Sequence, residues 1–174
     1  MNAVVVYESH WGNTAALARA IAKGIGPDTP VLTTDEATGP ILAAADLIVA
    51  GAPVIAFRLA TDAMRENIAD DVHDAPSKPD VAHPSMRTWL QGIPAGTGRA
   101  AAFETRIHWS PGSATGSIES GLDAAGYRRV AKARRFFVTG RYGPLRNGEL
   151  DAARAWGSEL RQALEHDRAA LASA

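Results

Sequence analysis

The chain has 174 residues, 46% hydrophobic and 21% charged, a balance that suits one globular domain with a sizeable core. Its 18 Lys and Arg against 19 Asp and Glu leave a net charge of -1, which supplies no global field for nucleic acid or an anionic membrane. Cysteine is absent, which excludes disulfides, thiolate nucleophiles and iron-sulfur ligation and leaves redox chemistry to a bound organic cofactor. No apolar run reaches the roughly 18 residues of a membrane span, and the N-terminus reads as a strand instead of a secretory leader. A soluble, cytoplasmic protein is expected.

Residues 3–7 form a β-branched run, and 13–25 follow with Leu17, Ile21, Gly24 and Ile25 at helical spacing, so a strand, a tight turn and a helix open the chain. A second strand is expected at 30–34 and a short helix at 41–45. The third strand, 46–51, has almost no polar alternation, as a parallel sheet covered on both faces requires. Helical pattern resumes at 61–68 and again at 86–90. Between them residues 70–83, rich in Asp, Pro and Ser, read as an exposed loop or lid. A fourth strand at 99–104, a helix at 113–125 and a fifth strand at 134–139, with 128–131 pairing ahead of it, come next. The last helix covers 149–165, with Leu150, Ala153, Gly157, Leu160 and Leu164 on one stripe. Residues 1–166 then make one domain and 167–174 a frayed tail. Five strands alternating with helices imply a doubly wound parallel α/β sheet, with ligands at the carboxyl ends of the strands.

The turn after the first strand, Ser9-His10-Trp11-Gly12-Asn13-Thr14, carries the most chemistry. Small polar side chains flank a glycine at the start of a helix whose free N–H groups point the same way, an arrangement that holds a phosphate without Lys or Arg. None occurs before Arg19. Helix capping by Ser9 or Asn13 would account for the same residues in structural terms.

Here the sequence resembles the flavodoxin family, whose phosphate loop has the form Thr/Ser-x-Thr-Gly-x-Thr. Gly51-Ala52-Pro53-Val54, after the third strand, is similar to the family's loop beneath one face of the flavin ring. The resemblance spans nearly the whole chain and implies a flavodoxin-like three-layer fold with strand order 2-1-3-4-5 and flavin mononucleotide (FMN) as cofactor. Trp11 departs from the pattern by standing where a hydroxyl is usual, so one phosphate hydrogen bond must come from elsewhere. The candidate cofactor-binding residues are Ser9, His10, Trp11, Gly12, Asn13 and Thr14 for the phosphate. For the ring they are Ala52, Pro53, Val54, Ile55 and Phe57 on one side and Thr105, Arg106 and Trp109 on the other. Phe57 is the candidate stacking side chain, Trp109 the cover for the outer edge, and Arg106 or His108 a donor to the ring's polar edge.

Other patterns carry less. Gly96-Thr97-Gly98-Arg99-Ala100-Ala101 matches a dinucleotide fingerprint as a string but precedes a strand instead of opening a helix. Five scattered histidines have no metal-ligand spacing, and the serines at 113, 117 and 120 lack a nucleophile elbow. Arg128, Arg129, Lys132, Arg134 and Arg135 form a basic cluster, read as a solvated face. The expected function is an FMN-binding redox protein that serves a partner protein or a small oxidant such as a quinone. The alternatives are a flavodoxin-like enzyme of quinone reductase or protoporphyrinogen oxidase type, and a binding or regulatory module that has lost tight flavin binding.

Overall fold

The computed structural model describes residues 2–70 and 73–172. At its centre, β1 (Ala3–Tyr7) lies between β2 (Val31–Thr33) and β3 (Leu47–Ile55), parallel to both. On the far side of β3 runs β5 (Arg99–Ile107), again parallel, and a short β4 (Arg58–Leu59) turns back along the end of β3. The expected fifth strand is present, with a short pairing segment ahead of it as expected. β6 (Arg128–Arg129) pairs with the start of β5, and β7 (Arg134–Val138) pairs with its end, register Phe103 to Arg134 through Ile107 to Val138. The order is thus 2-1-3-4-5 in terms of the expected strands, with the hairpin strand added.

Strand residues alternate between two cores, as a pleated sheet with helices on both faces demands. Val5, Leu47, Val49, Ala101, Phe103 and Phe136 face one cluster, into which α1 (Asn13–Ile25) sends Leu17, Ile21 and Ile25. α6 (Glu149–Ala172) adds Ala153, Trp156, Leu160 and Leu164 to it. Their backbones nearly touch: a Cβ on Gly24 would collide with the carbonyl of Arg154, and one on Gly157 with that of Ile21. Val4, Val6, Ile48, Ala50, Ala52, Ala100 and Ala102 face the other cluster. It is closed by Leu42 of α2 (Gly39–Ala43), Met86 and Trp89 of α4 (Met86–Gly92), and Ile118 and Leu122 of α5 (Thr115–Ala124).

Four expectations change. β3 runs on to Ile55, so Gly51-Ala52-Pro53-Val54 is strand and not loop. Gly51 is small because Phe103 packs where its Cβ would be, and Ala52 is fully buried in the core, away from any ligand wall. α6 continues to Ala172, and Asp167 pairs with Arg99 and Arg168 with Asp46, so residues 167–172 are helix and not a frayed tail. Residues 173 and 174 lie outside the described residues. Leu150 is exposed, and Trp156 takes the place expected for it on the buried stripe. The segment read as a lid begins with Asp70 as the last residue of α3 (Asp62–Asp70) and includes 71 and 72, which lie outside the described residues. From His73 onward it is largely exposed and pinned back at three points. Tyr142 Oη donates to the His73 carbonyl, the Asp80 N–H to the His10 carbonyl, and Arg65 to the carbonyl of His83, whose side chain is buried.

Candidate functional site

β1, β3 and β5 end together, and the connections that leave them enclose a cavity of about 440 Å³, within the usual range for small-molecule sites. Of the expected site residues, Ser9, His10, Trp11, Asn13 and Thr14 line it from the turn after β1. Pro53, Val54, Ile55 and Phe57 line it from the end of β3, and Thr105, Arg106 and Trp109 from the end of β5. Ala52 does not reach it, and Gly12 lies outside the lining. His108, offered as a donor, turns instead to the ring of Phe137, 5.1 Å away between centroids. Ala56, between Ile55 and Phe57, lines it as well, and the sequence reading missed Ile68, Ser110, Val138 and Arg141, which also belong to the wall.

Gly12 is required for a reason other than close approach. It caps α1 with φ of 83°, the left-handed region that costs an L side chain energy, while a Cβ there would meet nothing within 4 Å. Among the described residues none of the backbone N–H groups from Trp11 to Ala15 donates to a protein acceptor; the first helical bond runs from the Ala16 N–H to the Gly12 carbonyl. Such free amides form the positive end of the helix and suit an anion. Two side-chain donors point to the same use, because Ser9 Oγ and Trp11 Nε1 are buried without a partner among the described residues, and both residues line the cavity. Leaving such groups dry and unpaired costs about 1–3 kcal/mol each, a cost that a bound acceptor removes.

Trp11 does not fill the corner. Its ring packs edge-on against Tyr142, 4.8 Å between centroids, and against His10 at 5.8 Å, so the indole forms part of the wall. Asn13 is spent on structure, its amide donating to the Tyr142 carbonyl at 2.9 Å. The Thr14 and Thr105 hydroxyls lie 2.9 Å apart and tie the turn to β5; whichever donates, the other keeps its hydrogen for a ligand.

The apolar wall ends in a strained turn. Val54 pairs with Leu59 and Ile55 with Arg58, leaving Ala56 and Phe57 as a two-residue hairpin loop with φ of 41° and 72°. A type I′ turn of this kind favours Asn-Gly; Ala and Phe there cost about 1–2 kcal/mol each. The turn brings Phe57, 55% exposed, into the cavity lining, to which a second exposed aromatic, Trp109 at 77%, also belongs. The hairpin tip is clamped from outside by the Ser113 N–H, which donates to the Phe57 carbonyl, and by Gly112, where a Cβ would strike that same carbonyl.

Two fully buried glutamates, both overlooked in the sequence, underlie the cavity. Glu104 of β5 accepts from the N–H groups of Ala114 and Thr115 and the hydroxyl of Ser113, capping α5, which has no cap from its own N-terminal side chain. Its other oxygen takes Arg106 at 3.1 Å and lies 3.5 Å from Arg135. Burial pushes the Glu104 carboxyl up, but the Thr115 N–H, the Ser113 hydroxyl, the Ala114 N–H and Arg106 together hold it below its ordinary value. Arg106 is therefore committed to Glu104 and the Gly112 carbonyl; its Nε remains buried and unpartnered. Glu8, just past β1, accepts from the Met86 N–H at the start of α4 and pairs with Arg65 Nε at 2.9 Å and His10 Nε2 at 3.3 Å. Both contacts are out of line for hydrogen bonds. The one available signal was positional: each glutamate is a lone carboxylate following an apolar strand run, Ala3-Val4-Val5-Val6-Tyr7 or Ala100-Ala101-Ala102-Phe103.

No family model matches the chain, and no curated protein matches it by sequence. Solved structures do. A flavodoxin from the domain Archaea superposes with a TM-score of 0.62 at 22% identity, over 95% of this chain and 100% of that one. Oxidised flavodoxin 1 from Bacillus cereus gives 0.63 at 19%, over 93% and 98%. A WrbA-like flavodoxin from Agrobacterium tumefaciens gives 0.57 at 17%, over 95% and 98%. The chain has a flavodoxin-like α/β fold. Among the described residues no helix is long and apolar enough to cross a membrane, and no cluster of His, Asp and Glu could hold a metal.

Proposed function

We propose that the cavity binds FMN and that the chain is a redox protein. The observation that carries this reading is the pairing of unspent donors with an apolar slot in one cavity. Among the described residues the N–H groups of Trp11 to Ala15, Ser9 Oγ and Trp11 Nε1 lack acceptors, and the slot beside them runs from Pro53 to Phe57. The amides and the two side chains would hold the phosphate, so Trp11 replaces the hydroxyl expected at its position with an indole N–H. The strand end, the strained hairpin tip and Trp109 would flank the ring and exclude water from it. Bound FMN supplies one- and two-electron transfer; the protein supplies position and environment. The flavodoxins among the structural neighbours support the same cofactor.

The test is direct. Purified protein should be yellow or become so on adding FMN, and heat-released cofactor should run as FMN. Titration should give tighter binding of FMN than of riboflavin, because only FMN meets the unspent donors. Equal affinity for the two would overturn the phosphate assignment. Reconstituted protein mixed with NAD(P)H and a quinone panel then separates an enzyme, which turns over, from a carrier, which does not. Failure to bind FMN at all would leave a flavodoxin-like binding module.

A further inference from the structure

Charge is distributed very unevenly along the chain. Residues 128–148 contain Arg128, Arg129, Lys132, Arg134, Arg135, Arg141 and Arg146 and no acidic residue; the other 153 residues carry 11 Lys and Arg against all 19 Asp and Glu. The near-zero net charge therefore conceals a basic edge on an otherwise acidic molecule. This stretch is β6, β7 and their flanks, paired on one side with β5, so it forms a border of the sheet.

Intramolecular pairing leaves much of that charge unspent. Arg129 is taken by Asp123 and Glu119, and Arg135 lies 3.5 Å from Glu104. Arg128, Lys132, Arg134 and Arg146 are exposed and have no acidic partner among the described residues; Arg146 lies instead over the ring of Phe137, 5.7 Å from its centre. Arg129, Lys132 and Arg135 also line an open groove against α5. The edge leads to the cavity, since Val138 at the end of β7 and Arg141 just beyond it are part of the cavity wall, beside exposed Trp109. Of the cations without an acidic partner, Arg146 is linked to this rim through Phe137, whose ring meets His108, the neighbour of Trp109. An exposed aromatic with a cationic strip leading to it has the composition of a protein-docking surface, in which charge steers the encounter.

We propose that this basic edge docks an acidic protein over the cavity mouth. A protein fits better than nucleic acid because the basic strip is confined to one border and the rest of the molecule would repel an extended polyanion. The proposal does not require flavin to be bound; if the flavin reading holds, the docked protein is the electron-transfer partner.

The experiment titrates the 15N-labelled chain with a plant-type ferredoxin as an acidic protein probe, following amide shifts, and repeats the titration with a short DNA duplex. Shifts are expected to concentrate in residues 105–110 and 128–146 and to weaken with added salt. The double variant Lys132→Glu, Arg134→Glu should lose affinity about tenfold, whereas Arg19→Glu, Lys23→Glu on α1, with the same change in net charge, should lose less than about twofold. Circular dichroism confirms that both pairs of substitutions fold. Equal losses from the two pairs, shifts centred elsewhere, or a duplex that binds the edge more tightly than ferredoxin would each overturn the proposal. None of these readouts depends on FMN, so a colourless protein that docks ferredoxin refutes only the flavin reading.

Discussion

Glu8 and Glu104 occupy equivalent places on two sides of one cavity. Each follows an apolar strand, each is fully buried, each accepts from the N-terminus of a helix and each has an arginine beside it. They differ in how completely they are satisfied. Glu104 collects three donors on one oxygen and Arg106 on the other, and through Ser113 it secures the hairpin tip that holds Phe57. Glu8 makes one good hydrogen bond and an ion-pair contact of poor angle to Arg65, and lies 3.3 Å from His10 in the turn proposed to bind phosphate. The side proposed to hold the ring is thus built on a carboxylate with both oxygens satisfied. The phosphate side has polar capacity left over, as expected of a corner that completes its bonding with a ligand.

The contrast is broken most severely by Glu104→Ala, which strands Arg106 and uncaps α5. A loss of about 4 kcal/mol is expected in urea unfolding, within the range for breaking a buried pair. Its pH dependence follows from the depressed pKa. A carboxylate held below its ordinary value of 4.5 contributes stability that is fully present above that value and disappears as pH falls through the lower folded-state value. The stability gap between wild type and Glu104→Gln should therefore narrow with acidification below about pH 4.5 and stay level from pH 6 to 8; a gap that widened in acid would contradict the network. Glu8→Ala should cost less, about 3 kcal/mol, because fewer bonds are lost, yet it should impair FMN binding more than Glu104→Gln does, through His10.

Trp11→Phe keeps the edge contact with Tyr142 and removes the N–H. It should weaken FMN about tenfold, or roughly 1.4 kcal/mol, and leave riboflavin unchanged, as two titrations would show. The smallest effect is expected from Phe57→Gly. It relieves the left-handed strain and should raise stability by about 1 kcal/mol, while the missing ring lets solvent quench the flavin. A destabilised Phe57→Gly would mean that packing of the ring, and not strain, dominates the turn.

How legible the site was depended on the kind of interaction. Ser9 to Thr14 were legible because a strand, a turn with glycine and a helix follow one another within a few residues, and Gly12 does carry the positive φ that such a turn uses. Phe57, Thr105 and Trp109 were found by their positions after strands. Glu104 and its donors ahead of α5 were not, because its acceptor role depends on residues nine to eleven positions later in the chain that only folding brings to it. Tyr142 was missed for the same reason: its carbonyl fixes Asn13 from 129 residues away. The hairpin was misread as a loop because nothing in Ala56-Phe57 resembles a turn; local preference is overridden there by Gly112 and Ser113 pressing on the tip.

By itself the sequence determined the parallel sheet, its two-sided core and the anion-ready turn, since hydrophobic period and turn chemistry are properties of neighbours in the chain. Only the tertiary structure decided which donors remain unspent, which cations remain unpaired and where the wall of the cavity ends. Those outcomes depend on partners that are distant in sequence, and a polar group is free only once every nearby competitor for it has been placed.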